Sequence, residues 1–451
     1  MRMGKTICLI GNGIDSLCLA YFMQRIKLRT HILLIKKKCN YINTYFHDSN
    51  IIENGCYSFI LSENSKLFPS LLMNLNIETK ILERNKYSNN ISYLDENGNI
   101  YKINKFLFRI FYYFFKDYFF NKTINIEKSE NLHSFSLKYF DKEICENLIF
   151  PYCYHYFNYS PQYVLMNSYF PNLMKEIKDK KSLIKSLLSC NKNNSIIFSK
   201  NKKIFTFKDG NEILTKKLIE NLELSDDIKL TNNINNLQIK SKKNKVKIFL
   251  GRKVLKCKKV VFCLNPLELK NFLKKSKLEN KKKNIIIKYL SNFRTTKIKI
   301  TNVCFKKNVL PFSYSLESLL LIKKNEKNKL ISLLYDNNIF PQFNKNISEK
   351  KNSEEDIFET SLRFLSKEQN DNKSINEIND FLQNILKVKE KPDLVISNNY
   401  DVFSYNEKFD KIFKKLINKH FRNVKIFWAF SFFKNFEFCL SEAKSFFETN
   451  I

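Results

Sequence analysis

The sequence predicts an α/β fold, and three observations near the N-terminus carry that prediction. Ile7-Cys8-Leu9-Ile10 is a short apolar run of the kind a strand buried on both faces requires. Gly11-Asn12-Gly13-Ile14-Asp15-Ser16 follows at once, and Leu17-Cys18-Leu19-Ala20-Tyr21-Phe22-Met23 continues with helical apolar content. His31-Ile32-Leu33-Leu34-Ile35 then supplies a second strand. Strand, turn, helix, strand is how a Rossmann-like parallel sheet opens.

The turn is the first candidate site. A Gly-containing loop between a strand and a helix is the layout of a dinucleotide-phosphate cradle. Gly11 permits the tight turn, and Gly13 lets the backbone approach a pyrophosphate resting on the helix N-terminus. A third glycine would allow close helix–strand contact, and Ser16 stands in its place with only a small polar side chain. The expected phosphate contacts are Gly11, Gly13 and the amides of Ile14 and Asp15, with Ser16 behind them. After the second strand an acidic residue should hold the ribose hydroxyls; Lys36 stands there, followed by Lys37 and Lys38. A phosphate would accept that charge, so this turn leaves the nucleotide's identity open.

Composition sets the outer bounds. The chain has 451 residues, enough for two or three interleaved units with a substantial core. With 43% hydrophobic and 14% aromatic residues, general disorder is excluded. Phe, Tyr, Ile, Asn and Lys are heavily used against 7 Gly and 8 Pro, a bias resembling AT-rich coding. The formal charge of +34 draws the surface toward polyanions or acidic lipid. Its lysines are spread along the chain and no nucleic-acid recognition motif accompanies them, so a nucleic-acid partner is not expected. The 11 cysteines form no C-x-x-C pair or finger spacing, which argues against zinc, and Cys8, Cys263 and Cys304 read as buried reduced thiols. The first strand begins within a few residues of Met1, leaving no room for a cleavable presequence. No apolar run is long enough to span a bilayer as one helix.

Further along, Leu67–Leu75 reads as a short amphipathic helix and Ile77–Leu82 as a strand. Tyr93–Tyr101 reads as a hairpin turning at Glu96-Asn97-Gly98. Phe106–Phe120 packs Phe and Tyr around Arg109, Lys116 and Asp117. Aromatics on nearly every face with a few cations suggest an interfacial helix dipping into a bilayer surface. Asn147–Met174 holds no Lys, Arg, Asp or Glu and is broken by Pro151, Pro161 and Pro171, so it reads as cavity lining or core. His155 within it reads as a core histidine. No Ser/His/Asp set, carboxylate pair or metal cluster is visible.

A family resemblance runs through these segments. Ser134-Phe135, Lys138-Tyr139-Phe140 and Glu143 lead into Pro151 and Pro161, then Phe170-Pro171-x-Leu173 and Ser182-Leu183-Ile184. That spacing resembles protoporphyrinogen oxidase, the FAD enzyme of the penultimate step of haem synthesis. Phe205–Leu214, Val260–Pro266, Leu310-Pro311, Tyr335-Asp336-Asn337-x-x-Phe340-Pro341, Ile426–Ala429 and Cys439–Ala443 are similar to its further signatures, in order and over nearly the whole chain. Two departures stand out. The paired glycines expected after the second strand fall near Ile42-Asn43, and the Gly-rich turn expected before Cys439 reads Phe430–Phe436 without glycine. With side chains there, FAD must sit differently, bind weakly, or not bind.

The resemblance implies a discontinuous architecture. FAD-binding segments would span 1–85, 201–275 and 396–451, with a helical membrane-facing lobe at 86–200 and a mixed-sheet substrate domain at 276–395. It implies oxidation of protoporphyrinogen IX to protoporphyrin IX in three two-electron steps, with FAD as cofactor and oxygen or another acceptor downstream. The flavin carries that redox chemistry, so no protein acid or nucleophile is needed. The substrate is flat and greasy with two propionates, which calls for an aromatic site with one or two cations. Arg109 is the candidate propionate partner. Peripheral attachment to the mitochondrial inner membrane and a homodimer are further implications. The alternative is a non-catalytic relative that keeps the fold to bind a tetrapyrrole or to act as a scaffold.

Overall fold

The computed structural model describes residues 7–11, 13–24, 30–34, 42–48, 50–61, 65–85, 91–94, 99–102, 104–120, 130–157, 160–192, 203–224, 228–231, 238–242, 245–250, 252–275, 280–293, 295–310, 318–321, 329–340, 358–367, 370–403, 411, 413–417, 423–427 and 436–450. Its central sheet has five strands in the order Ile228–Thr231, Thr30–Leu34, Ile7–Gly11, Lys259–Cys263, Val424–Ile426, and every pairing is parallel. The strands come from three distant stretches of chain, as a discontinuous domain requires. Alternation sorts the first strand's side chains. Ile7 and Leu9 face a core built with the helices Ile14–Gln24, Glu212–Glu223 and Phe436–Asn450. Cys8 and Ile10 face a second core formed with Pro266–Lys275, Asn280–Leu290 and the Gln238–Cys257 meander. Burial on both faces is why these strands read as uninterrupted apolar runs.

Rings lock the distant segments together. Phe59, Phe68, Phe205, Phe207 and Phe436 form one cluster with centroids 4.5 to 6.0 Å apart. Glu437, opening the C-terminal helix, accepts from the amides of Lys66 and Leu67 at 3.1 Å and Phe68 at 2.7 Å. A carboxylate there satisfies the first amides of the Leu67–Asn74 helix. The expected strand at 77–82 is shorter: a 3₁₀ turn at Glu78–Lys80 precedes Ile81–Glu83.

A seven-stranded mixed sheet forms the second unit, in the order Leu394–Phe403, Thr295–Phe305, Thr360–Ser366, Leu330–Tyr335, Ser318–Leu321, Ile91–Leu94, Ile100–Lys102. The Tyr93–Tyr101 hairpin exists, joins this sheet, and has its turn outside the described residues. The strand Leu394–Phe403 runs across the 395/396 boundary read from the sequence, because it pairs over its length with Thr295–Phe305. The last segment of the parallel-sheet unit therefore begins after Phe403.

The third unit is helical and covers one face of the mixed sheet. Asn104–Phe120 is a single helix. Asp117 turns inward and accepts from Ser182 Oγ at 2.7 Å and the Ile184 amide at 2.8 Å, holding the start of Leu183–Lys192. The prolines sit where helices tolerate them. Pro161 and Pro171 open their segments, and Pro151 follows a π-turn at Cys145–Ile149 in which the Phe150 amide reaches back to the Cys145 carbonyl. A widened turn is one way a helix admits a residue without an N–H. No helix among the described residues is long and apolar enough to cross a membrane.

Candidate active site

The N-terminal turn lies where an open α/β sheet binds ligands. From Ile7–Gly11 the chain proceeds to Thr30–Leu34 on one side, while Lys259–Cys263 pairs on the other. The carboxyl ends of these strands therefore frame a switch-point crevice. Gly11 and Cys263 end their strands side by side at its mouth. A Cβ on Gly11 would lie 2.8 Å from Ser16 Cβ and 3.0 Å from both Cys263 Cβ and its carbonyl oxygen. Glycine is thus fixed by the approach of helix and neighbouring strand. The same absence of a Cβ makes room for serine at position 16. Ser16 is fully buried, and its hydroxyl donates to the Gly13 carbonyl at 2.6 Å.

The Ser16 amide also reaches the Gly13 carbonyl, at 3.1 Å, so Gly13 starts the helix. The amides of Ile14 and Asp15 fall in the first turn, where no intrahelical acceptor exists. Asp15 is buried, and its carboxylate accepts from Cys439 Sγ at 3.4 Å, across to the C-terminal helix. Its side chain therefore faces the partner helix. Burial pushes the Cys263 and Cys439 thiols well up, with Asp15 adding to both. Protonated, enclosed thiols are poor nucleophiles, so this cluster packs the cradle. Lys36 and Phe430–Asn435 lie outside the described residues. Where paired glycines are expected, Ile42 is buried in the nucleotide-domain core and Asn43 keeps a buried side-chain oxygen with no hydrogen-bond partner. The switch-point crevice, a glycine that packing enforces and a spare buried acceptor fit a dinucleotide with two phosphates and a ribityl or ribose hydroxyl.

A second polar cluster lies where the nucleotide domain meets the mixed sheet, and sequence reasoning gave it no role. Glu53 accepts from the Asn211 amide at 2.6 Å and from Thr44 Oγ1 at 3.1 and 3.2 Å. Burial pushes its carboxyl up to about 8, outweighing those donors and the Arg363 charge that lower it. Thr44 in turn accepts from the Glu212 amide at 3.0 Å. Gly210, at φ +80°, has room for no Cβ, which would fall 2.4 Å from Thr44 Cγ2. On the sheet side, Asn302 donates to the Glu53 carbonyl and Asn54 Oδ1, and Asn398 donates to the Asn54 carbonyl. Arg363 completes the seam with an ion pair to Asp336 at 2.7 Å, and its guanidinium stands 5.1 Å from the Tyr57 ring centroid. Burial raises the Asp336 carboxyl, and Arg363 opposes the shift. One signal was legible: Arg363 is a lone cation in the apolar strand Thr360–Ser366.

Arg109 lies elsewhere. It is on the exposed helix, where Asp141 at 2.6 Å and Glu143 both bind its guanidinium. A propionate there would have to displace a carboxylate already in place. His155, half-buried, has its Nδ1 2.8 Å from Ser332 Oγ of the mixed sheet. The outer face of Asn104–Phe120 presents Phe108, Phe111, Phe115, Phe119 and Phe120 at 59 to 86% exposure, while Phe106, Ile110, Tyr113 and Phe114 face inward.

Solved structures share this arrangement end to end. A protein from Exiguobacterium sp. 255-15, provisionally named a protoporphyrinogen oxidase, superposes with a TM-score of 0.77 over 99% of this chain and 98% of its own, at 14% identity. Cyclohexylamine oxidase from Brevibacterium oxydans IH-35A gives 0.63 over 99% of both chains at 11% identity. The fatty acid isomerase of P. acnes that produces CLA gives 0.62 over the whole of both chains at 12% identity. The chain shares its fold with these proteins. No protein-family model matches the chain, and no curated protein matches it significantly. The fold thus accounts for the discontinuous parallel-sheet unit and the mixed sheet, whereas oxidases and an isomerase on one frame leave activity to the site residues.

Proposed function

We propose that this chain is an FAD-dependent oxidoreductase that converts protoporphyrinogen IX to protoporphyrin IX. The observation that carries the reading is the end-to-end match to the Exiguobacterium protein, at 0.77 against 0.63 for the amine oxidase and 0.62 for the isomerase. The ordered motifs of the substrate lobe point the same way. FAD would rest on Gly11, Gly13 and the amides of Ile14 and Asp15, with Ser16 closing the helix against the strand and Asn43 offering an acceptor. Bound there, it supplies the acceptor for the electron pairs removed from the substrate. The chain's own part is to seat a flat apolar macrocycle, exclude water and match its carboxylates. The uncharged 147–174 segment, packed on the mixed sheet, supplies the apolar wall. The aromatic outer face of Asn104–Phe120 serves as a peripheral membrane contact that brings the lobe to an apolar substrate.

The second reading is a non-catalytic tetrapyrrole-binding or scaffolding protein, favoured by the absence of glycine across Phe430–Phe436. One assay separates them: protoporphyrinogen under an anaerobic start, with and without added FAD, followed by porphyrin fluorescence above the spontaneous rate. FAD-dependent acceleration is the expected result. Porphyrin binding with no acceleration gives the case to the second reading, and a visible spectrum without flavin at saturating FAD refutes the cofactor assignment.

A further inference from the structure

The least satisfied charged group at the domain seam is Arg363. Its side chain is 2% exposed, and Asp336 occupies only Nη2. Nε and Nη1 are buried with no hydrogen-bond partner, as is Asp336 Oδ1. Asn302 and Leu334 flank it on the adjacent strands. On the same sheet face Leu334, Leu365 and Tyr400 pack with Cys153, Val164 and Tyr169 of the uncharged segment. The guanidinium therefore sits where the nucleotide domain, the mixed sheet and the aromatic wall converge, the usual location of a ligand site. A buried cation with idle donors is destabilising unless something accepts from it, and a packed apolar side chain would be cheaper there.

We propose that Arg363 is the anion anchor of this site: Nη1, left free by Asp336, donates to a carboxylate on an otherwise flat, apolar ligand. This rests on the tetrapyrrole reading above and assigns Arg363 the role expected of Arg109. A charge-assisted hydrogen bond in a dry seam is strong and directional. The Tyr57 ring lies against the guanidinium, its centroid 5.1 Å from Cζ. Asp336 Oδ1 and Asn302 Oδ1 are idle acceptors beside it, but the two idle donors carry the guanidinium's positive charge, which favours an acid over an ammonium. Glu53 adds little negative charge near neutrality, since burial keeps its carboxyl largely protonated.

The test uses the full chain, mesoporphyrin IX and its dimethyl ester, and fluorescence titration at about 0.5 M salt, where surface lysines are screened. Wild type should bind the diacid about tenfold or more tighter than the ester, the loss expected for one charge-assisted hydrogen bond. Arg363→Met should bring the diacid down to the ester's affinity and leave the ester unchanged. Asp336→Asn should tighten the diacid, because the guanidinium is released from its internal partner; a misfolded variant would weaken both probes. The proposal is overturned by a diacid preference that persists in Arg363→Met, by a preference lost in high salt, or by equal weakening of both probes. Loss of FAD retention in Arg363→Met with the diacid preference intact also overturns it and places the residue at the cofactor. Should wild type bind neither porphyrin, the tetrapyrrole reading falls as well.

Discussion

Replacing Gly11 with Ala tests whether packing between helix and strand fixes the cradle. The new Cβ would meet Ser16 Cβ at 2.8 Å and Cys263 Cβ and O at 3.0 Å, against an optimum of about 3.5 to 4.0 Å. None of these atoms is the free end of a flexible side chain, so helix or strand must move. Overpacking of this kind costs about 1–3 kcal/mol, and three simultaneous contacts place Gly11→Ala near the top of that range. Ser16→Gly alone loses the 2.6 Å hydroxyl bond to Gly13 and helix propensity, together about 1–2 kcal/mol. In the double variant the shortest contact no longer exists, while the two at 3.0 Å to Cys263 remain. The double should therefore be less destabilised than the sum of the singles by about 1 kcal/mol or more. Urea midpoints of the four proteins give the cycle, and FAD retention should follow the same order. Strict additivity, or a wild-type midpoint for Gly11→Ala, would refute the packing argument.

Two more perturbations address the seam and the helical lobe. Glu53 has its carboxyl raised from 4.5 to about 8 by burial, so its folded state holds the proton more tightly than the unfolded chain. The stability this contributes is complete below pH 4.5 and is lost as pH rises to about 8. Glu53→Gln keeps the shape and the acceptor oxygen, and should flatten that decline in a pH series of unfolding midpoints; an unchanged slope would contradict the assignment. For the lobe, Phe111 and Phe115 are 67% and 59% exposed and make separate contributions to any bilayer contact. Burying a phenylalanine is worth about 1.5–3 kcal/mol, so at these exposures Phe111→Asp with Phe115→Asp should weaken binding to acidic-lipid vesicles at least about tenfold. The folded stability should not change, and salt should weaken the wild type as well. Indifference of the wild type to acidic vesicles at low salt would rule out the membrane contact.

What the sequence made legible was local, and what it hid was long-range. The cradle could be read because strand, turn and helix lie within 7–24 and obey short-range periodicities. The aromatic helix was legible for the same reason, but its split into an inward Asp117 and outward phenylalanines was not, because the sequence shows aromatics on nearly every face. Arg109 shows the limit. The sequence places it among aromatics, but Asp141 and Glu143 return to it from 32 and 34 residues away. Glu53 meets Asn211 across 158 residues, and Arg363 meets Asp336 across 27. Neither pairing leaves a periodic trace, so beyond the lone Arg363 in its strand the buried polar seam left no signal, while the apolar elements around it did. The domain boundary at 395/396 failed for a related reason: nothing at 395 marks a break, and pairing with Thr295–Phe305 decides where that strand ends.

Glycine gives the clearest physical account of how this chain departs from the resemblance. Only 7 glycines serve 451 residues. Gly11 and Gly210 stand where a Cβ would come within 3.0 Å of a neighbour, and Gly210 also has φ +80°. They are retained where no side chain fits. At Ile42-Asn43 the geometry is different. Ile42 packs into the core, and the Asn43 carbonyl accepts from the Asn54 amide at 2.7 Å. Backbone that could reach a ligand directly in a glycine pair here carries the packed Ile42 side chain and an Asn43 side-chain amide whose oxygen has no partner. The departure at this edge is therefore local: it puts side-chain atoms where a glycine pair would leave backbone open. The opposite edge keeps the close approach of helix to strand, where Gly11 meets Ser16 and Cys263.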